Sequence, residues 1–247
     1  MTPSEFPLLD KTHVSPLERD IEKYRSGFLM IFNKPYRWTS ADVVRKVKFT
    51  LKRHFHGELK VGHAGTLDPL ATGILILCAG RATKSAEAIQ SGRKEYVAEI
   101  TFGATTPSFD LEKEIDATYP YGHITRENVE SVLKSFIGLQ EQYPPVFSAK
   151  YVGGMRAYER ARSGEEIELK PSTIEIFDIS LTEFALPRIT IRVQCSKGTY
   201  IRALARDLGL ALKSGAHLTS LTRTASGEFK LEDCMEMDDF IRIYSDK

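Results

Sequence analysis

The chain has 247 residues, of which 42% are hydrophobic and 27% charged, a balance that excludes a disordered or low-complexity chain. The longest uninterrupted apolar run, residues 74–79, is far shorter than the roughly 20 residues that cross a bilayer, and the N-terminus lacks the apolar segment of a signal peptide. We therefore expect a cytoplasmic protein without membrane contact. The cysteines Cys78, Cys195 and Cys234 are odd in number and far apart, which predicts buried thiols rather than disulfides or a zinc site.

The net charge of +1 conceals an uneven distribution of charge along the chain. Basic residues outnumber acidic ones in three segments, residues 45–60, 81–94 and 197–223, which together carry +12. Residues 228–247 are acidic, with seven acidic and three basic side chains. If folding brings the basic segments together, they form a positive surface of the kind that holds a phosphate backbone; three separate solvated faces are the alternative.

The first third of the chain contains predicted elements of three kinds. Residues 1–27 show no sustained hydrophobic period and contain three prolines, which predicts a loosely packed arm. Residues 28–32 predict a strand that is followed by a turn at residues 33–35. Thr39, with Asp42 three residues later, predicts the cap of an amphipathic helix with a basic outer face.

Hydrophobic periodicity predicts further strands and helices along the rest of the chain. Strands are predicted over residues 74–78, 96–102, 174–181 and 188–195, and helices over residues 126–137 and from Thr199 onward. The last two strands can form a hairpin or an adjacent pair, and Arg202 falls off the apolar stripe of the last helix. Because strands and helices follow without a regular βαβ repeat, we expect an α+β fold with a mixed, largely antiparallel central sheet flanked by helices.

Residues 61–73 stand out as a loop that contains three glycines, one imidazole and one carboxylate directly before an apolar strand. Pro69 restricts Asp68 to extended geometry, so the carboxylate is held rather than mobile. A carboxylate in this position is either a nucleophile or base, or, as composition alone favours, a turn residue. The chain contains no phosphate-binding loop, dinucleotide fingerprint, zinc motif or serine-hydrolase motif.

The run Gly62-His63-Ala64-Gly65-Thr66-Leu67-Asp68-Pro69 closely resembles the catalytic motif of the bacterial tRNA pseudouridine synthases that modify uridine 55 of the T loop. The resemblance covers residues 28–229 in order. Its further matches are Asn33, Lys34, Pro35, Thr39, Ser40, Lys94, Glu95, Tyr96, Gly103, Thr106, Ser108 and Asp110, followed by residues 144–150, 156–159, 161–164, 195–202, 221–223 and 227–229.

This resemblance implies an active-site cleft and the isomerisation of uridine to its C-glycoside without cofactor or metal. It also implies the T-arm stem-loop of tRNA as the partner of a monomer that needs no other protein. Asp68 matches the catalytic aspartate. A carboxylate can attack C1′ of the ribose, add to C6 of the base or remove a ribose proton, and the sequence does not choose among these routes.

The resemblance also implies roles for five other residues. Arg202 matches the active-site arginine, which supplies the cation that an ionised carboxylate needs in a partly dry pocket. Tyr96 is expected to stack on the target base, Leu221 to line the base pocket and Lys34 to order the cleft wall. His63 is expected to fill the space that the flipped nucleotide leaves. From the residues alone, Tyr96 and Leu221 are also typical core side chains, and His63 is typical of a loop imidazole with a structural hydrogen bond.

The predicted domains are an N-terminal arm (1–27), a catalytic domain (28–229) and a short acidic tail (230–247) in place of a separate C-terminal RNA-binding domain. A catalytically silent protein that binds or folds tRNA is the alternative function, and it requires neither Asp68 nor Arg202. A glycosidase requires a second well-placed carboxylate, which the motifs do not provide. The joint presence of Asp68 and Arg202 favours the synthase.

Overall fold

The structure, a computed structural model, describes residues 5–13, 17–147, 151–152, 155–156 and 169–244. The matching segments at residues 148–150, 157–159 and 161–164 lie outside these residues. The chain divides into two compact units: unit 1 consists of Met1–Glu95 and Thr222–Lys247, and unit 2 of Tyr96–Leu221. The predicted α+β class with a large, mostly antiparallel sheet is confirmed.

The strands are β1 (Leu8–Leu9), β2 (Phe28–Lys34), β3 (Val61–His63), β4 (Ala71–Ala79), β5 (Lys94–Phe102), β6 (Ala104–Thr105), β7 (Ala117–Thr118), β8 (Gly138–Gln142), β9 (Tyr151–Val152), β10 (Met155–Arg156), β11 (Ser172–Ala185), β12 (Arg188–Cys195), β13 (Ala216–Ser226) and β14 (Phe229–Lys230). The helices are α1 (Ser40–Phe55), α2 (Ala86–Gln90), α3 (Arg126–Ser135), α4 (Ile201–Ala211) and α5 (Met237–Tyr244). Short 3-10 helices cover Ile21–Tyr24, Gly80–Ser85 and Leu231–Asp233.

Unit 1 is built on β2 and β4, which pair antiparallel from Phe28 opposite Ala79 to Lys34 opposite Gly73. The strand β1 pairs parallel with β2, and β3 pairs antiparallel with β4. Because β4 begins at Ala71, β2 continues through Lys34, where the sequence predicted a turn. The turn prediction was therefore wrong by two residues.

The helix α1 forms as its cap signal predicts. Thr39 Oγ1 accepts a hydrogen bond from the Asp42 amide at 3.1 Å, and the Asp42 carboxylate accepts one from the Thr39 amide at 2.9 Å. The apolar stripe of α1, which includes Val43 and Val47, is fully buried. The helix ends at Phe55, and the next residue, His56, has a positive φ of 50° that turns the chain out of the helix.

The two flanking segments contribute to unit 1. Leu8 and Leu9 of the predicted arm are paired with β2. In the acidic tail, α5 buries Met237, Phe240 and Tyr244 in the same core as α1, while its acidic residues lie on the other face. The proposed boundaries of the catalytic domain, at residues 28 and 229, remain a prediction.

Unit 2 contains the antiparallel pair of β11 and β12, which confirms the predicted hairpin. The strand β5 alternates buried and half-buried side chains along its whole length, as its period-2 pattern predicts. The helix α3 ends at Ser135, two residues before its predicted end, because Gly138, with φ of 109°, starts the edge strand β8. The strand β8 pairs with β11.

The three cysteines are buried and free, as predicted. Burial raises the pKa of the Cys78 thiol to about 11 and that of the Cys234 thiol to about 12. In the part of the chain that the structure describes, the helices are too short or too polar to cross a bilayer.

Candidate functional site

The loop that carries Asp68 connects β3 and β4 and is fixed at both ends. Ser40, the first residue of α1, accepts a hydrogen bond from the Leu67 amide at 2.9 Å and donates one to the Leu67 carbonyl at 3.2 Å. The Asp68 carbonyl accepts a hydrogen bond from the Ala71 amide at 3.1 Å, which closes a turn. The backbone on both sides of the carboxylate is therefore held, in agreement with the expectation from Pro69.

Lys34 is a buried cation that ties this loop to the segment before α1. Its ammonium group donates hydrogen bonds to the carbonyls of Pro35 at 2.9 Å, Trp38 at 2.6 Å and Pro69 at 3.2 Å. Burial lowers the pKa of Lys34 from 10.5 to about 8, and the nearby carboxylate of Asp68 opposes this decrease. Of the predicted site residues, Lys34 and Asp68 are therefore brought together in unit 1.

The pKa of Lys34 predicts a pH dependence of stability. Because its pKa in the folded chain lies below 10.5, the unfolded chain binds more protons between pH 8 and 10.5, so the free energy of unfolding rises with pH across this window. The raised pKa values of Cys78 and Cys234 act in the opposite direction above pH 9. Between pH 8 and 9, the free energy of unfolding of Lys34→Met should therefore rise by about 1 kcal/mol less than that of the wild-type protein, as measured by urea unfolding. If the free energy of unfolding changes with pH in the same way for the variant and the wild-type protein, this prediction is wrong.

Arg223 contacts the Asp68 loop, although the sequence predicted no role for this residue. The residue is 2% exposed, and its guanidinium donates hydrogen bonds to the carbonyls of Ile74 at 2.8 Å, Thr66 at 3.4 Å and Gly65 at 3.5 Å. These carbonyls lie on both sides of Asp68 in the chain, so one side chain holds both arms of the loop.

The backbone of Arg223 also fits closely against β4. Gly73 has φ of 102°, and a Cβ atom there would overlap the backbone of Arg223. The hydroxyls of Thr72 and Thr222 are 2.9 Å apart. Hydrophobic periodicity does not reveal a charged residue inside a strand. The signal for this contact in the sequence was therefore the match to the family at residues 221–223.

Arg202 lies in unit 2 and is only 3% exposed, so it is a buried residue of the helix α4 rather than a charge on its surface. The structure places its Nε 3.7 Å from a carboxylate oxygen of Asp110, which is itself 4% exposed. Its guanidinium also donates a hydrogen bond to the Ser108 carbonyl at 3.3 Å. A buried acidic partner explains why an arginine tolerates the interior here. The pairing of Arg202 with Asp68 remains a prediction.

Tyr96 and Leu221 are the first and last residues of unit 2, so each lies where the chain passes from one unit to the other. Tyr96, on β5, is 8% exposed, and Leu221, on β13, is 7% exposed. His63 is half-buried on β3 in unit 1. Burial of this degree is compatible with lining a base pocket and with core packing, so the roles of these residues remain predictions.

Part of the basic charge that suggested a phosphate-binding surface is used inside the protein. Lys94, Arg202 and Arg223 are 5%, 3% and 2% exposed. Lys94 donates hydrogen bonds to the carbonyls of Gln90 and Gly92. The remaining excess includes Arg45, Lys48, Lys52 and Arg53, which are exposed on α1. The union of the three segments in one cleft remains a prediction, and three of their cations are buried rather than exposed.

A metal site is not formed by the residues that the structure describes, where no cluster of three histidine, cysteine, aspartate or glutamate side chains has the spacing to hold an ion.

Two family models match the chain. The model described as "TruB family pseudouridylate synthase (N terminal domain)" matches residues 52–201. The model described as "tRNA pseudouridylate synthase B C-terminal domain" matches residues 202–247.

Among solved structures, the chain is similar to one in a Cbf5-Nop10-Gar1 complex, with a TM-score of 0.68, 30% identity, 91% of this chain and 56% of that chain covered. It is also similar to a chain in the structure of an H/ACA RNP bound to a substrate RNA containing 2′-deoxyuridine. The TM-score is 0.65 and the identity 27%, and the match covers 99% of this chain and 65% of that chain. The chain thus spans somewhat more than half the length of these structural neighbours.

Curated relatives match almost end to end. The chain is 59% identical over 218 residues to tRNA pseudouridine synthase B of Phocaeicola vulgatus, covering 88% of this chain and 93% of that protein. It is 60% identical over 220 residues to tRNA pseudouridine synthase B of Parabacteroides distasonis, covering 87% and 94%. With a family model that matches more than half of its residues and relatives of this identity, the chain belongs to the TruB family of pseudouridylate synthases.

Proposed function

We propose that this protein isomerises uridine to pseudouridine in tRNA, that its target is position 55 in the T loop, and that Asp68 is the catalytic carboxylate. The observation that carries the proposal is the fixed Asp68 loop, held by Ser40, Lys34 and Arg223. Many contacts around one partly exposed carboxylate are typical of a reactive group that must keep its geometry. The curated relatives that are named tRNA pseudouridine synthase B support the tRNA substrate.

The reaction exchanges one bond to the ribose for another. The bond between N1 of uracil and C1′ breaks, the base rotates, and a bond between C5 and C1′ forms while the C5 hydrogen is lost and N1 gains a proton. Asp68 assists by attack at C1′, by addition at C6 or by removal of a ribose proton, and each route requires its ionised form. The buried charge of Lys34 attracts this carboxylate, and with a pKa of about 8 Lys34 is mostly protonated at pH 7.

The remaining roles follow from the match to the family motif. We assign stacking on the target base to Tyr96, the apolar wall of its pocket to Leu221 and the charge opposite the carboxylate to Arg202. His63 takes the place of the extruded nucleotide, whose unstacking costs a few kcal/mol. A T-arm stem-loop is the part of tRNA that presents position 55, and a monomer without a protein partner is sufficient for this chemistry.

The direct test is to incubate the purified protein with a tRNA transcript and to map pseudouridine by chemical modification and primer extension. We expect one modified position, uridine 55, in whole tRNA and in an isolated T-arm hairpin, and none in a transcript with cytidine at that position. A protein that binds the transcript tightly but forms no pseudouridine would favour the silent tRNA-binding alternative.

The contacts of Arg223 predict an effect on turnover. Arg223→Lys keeps a positive charge but replaces the fork of nitrogens by one ammonium, which cannot reach carbonyls on both arms of the loop. The loss of one or two hydrogen bonds that orient the loop should lower kcat about tenfold. Single-turnover rates at saturating tRNA measure this effect, with Arg242→Lys on the exposed face of α5 as the matched control. A change in the Kd for tRNA with an unchanged rate would show that Arg223 does not position the loop.

A further inference from the structure

The start of α1 and the turn before it form a surface pocket that the proposed mechanism does not use. The pocket has a volume of about 560 Å³ and is lined by Arg37, Trp38, Asp42, Arg45, Lys46 and Phe49. This volume lies within the range of about 300–1,000 Å³ that small-molecule sites occupy. All six residues belong to unit 1.

The pocket has an excess of positive charge that its own carboxylate does not neutralise. Asp42 is committed to the cap of α1 through Thr39 and to an ion pair with Arg45 at 2.7 Å. Within the described ranges, neither Arg37 nor Lys46 has a carboxylate within 4.0 Å of its charged nitrogens. An anion is therefore the ligand that these two side chains fit.

Exposed aromatic rings lie among these cations. The Phe49 side chain is 57% exposed, and the Arg53 guanidinium lies 5.9 Å from the centroid of its ring. Tyr36 is 53% exposed, with the Arg37 guanidinium 5.6 Å from its ring centroid. Cations that track a backbone and rings that stack on bases or sugars are the composition of surfaces that bind single-stranded nucleic acid.

Two residues that line the pocket, Arg37 and Trp38, are tied by backbone hydrogen bonds to the Asp68 loop and to Lys34. The Arg37 amide donates a hydrogen bond to the carbonyl of Pro69, the residue after Asp68, at 2.9 Å. The Trp38 carbonyl accepts one from the buried Lys34 at 2.6 Å. Arg37 itself has φ of 67°, a backbone conformation that residues other than glycine rarely adopt. The chain is thus held so that the pocket opens directly beside the loop that carries the carboxylate.

We propose that this aromatic–basic surface, defined by Arg37, Trp38, Lys46 and Phe49, binds the strand of the substrate RNA next to the target nucleotide. Arg37 and Lys46 contact its phosphates, and Phe49 contacts a base or a ribose. The inference rests on the proposed function. A protein partner fits less well, because the surface combines exposed rings with two cations that form no ion pair among the described residues, rather than presenting a wide apolar patch.

The test compares Lys46→Gln and Phe49→Ala, singly and together, with the wild-type protein for binding to a tRNA transcript, by fluorescence anisotropy at several salt concentrations. We expect the double variant to bind about tenfold more weakly. Lys46→Gln should reduce the slope of log affinity against log salt by about one, because one phosphate contact is lost. Phe49→Ala should weaken binding without changing this slope.

The matched control is Arg242→Gln, which removes the same charge from an exposed position among the carboxylates of Glu232, Glu236 and Asp239. It should leave the affinity and the slope unchanged. If the affinity and the slope of Lys46→Gln and Phe49→Ala also stay at wild-type values while thermal melting shows folded proteins, the proposed surface is wrong. Weaker binding by a protein that forms no pseudouridine would instead overturn the proposed function and support the RNA surface.

Discussion

We expect Asp68→Asn to abolish pseudouridine formation in single-turnover assays while tRNA still binds. The substitution keeps the size of the side chain and leaves the backbone contacts of the loop to Ser40 and Ala71 in place. It removes the negative oxygen that all three chemical routes require, so no route remains. Release of a tritium label from C5 of the target uridine measures turnover, and fluorescence anisotropy measures the Kd for tRNA.

The control for this variant is Asp238→Asn, an equal change at an exposed position in the first turn of α5, which should keep full activity. Because Asp68→Asn removes one of the two carboxylates, Asp68 and Asp42, that oppose the effect of burial on Lys34, it should also lower the pKa of Lys34 further. Turnover near the wild-type rate would refute the catalytic assignment. A variant that neither folds nor binds tRNA would indicate that Asp68 is a turn residue with a structural role.

The sequence predicted most elements whose signal is local. The capping pair of Thr39 and Asp42 located the start of α1, and the alternating pattern of β12 located both of its ends. These elements were predictable because a helix cap and an alternating strand are both recognised from neighbouring residues alone. The strand β13 and the helix α5 were not predicted, since their burial depends on partners that are remote in the sequence.

The candidate site shows the same division between local and distant information. The rigidity of the Asp68 loop was predictable from Pro69 and the neighbouring glycines, whereas the buried cations around it were not. Lys34 and Arg223 interrupt the apolar pattern of their strands, although Arg223 donates hydrogen bonds to remote backbone carbonyls and Lys34 donates one of its three to the remote carbonyl of Pro69. A buried charge is stable only when it has hydrogen-bond partners, and the hydrophobic pattern of the sequence does not show where those partners are.

Arg202 predicts the second large effect. Because Arg202 and Asp110 are both buried, Arg202→Ala leaves a buried carboxylate without its cation, and we expect the free energy of unfolding to fall by about 3–5 kcal/mol. Urea unfolding measures this loss. The exposed pair of Arg45 and Asp42 is the control, and Arg45→Ala should cost less than about 1 kcal/mol.

Second substitutions identify which carboxylate depends on Arg202. Adding Asp110→Asn to Arg202→Ala should recover part of the lost stability, because the amide no longer carries a buried charge, although Asp110→Asn alone destabilises the protein. If the predicted pairing with the catalytic carboxylate also holds, Asp68→Asn should recover stability in the same background. Recovery by Asp110→Asn alone would assign Arg202 to the Asp110 segment and remove it as the charge partner of Asp68. Recovery by neither substitution would show that Arg202 stabilises unit 2 through packing and its hydrogen bond to Ser108.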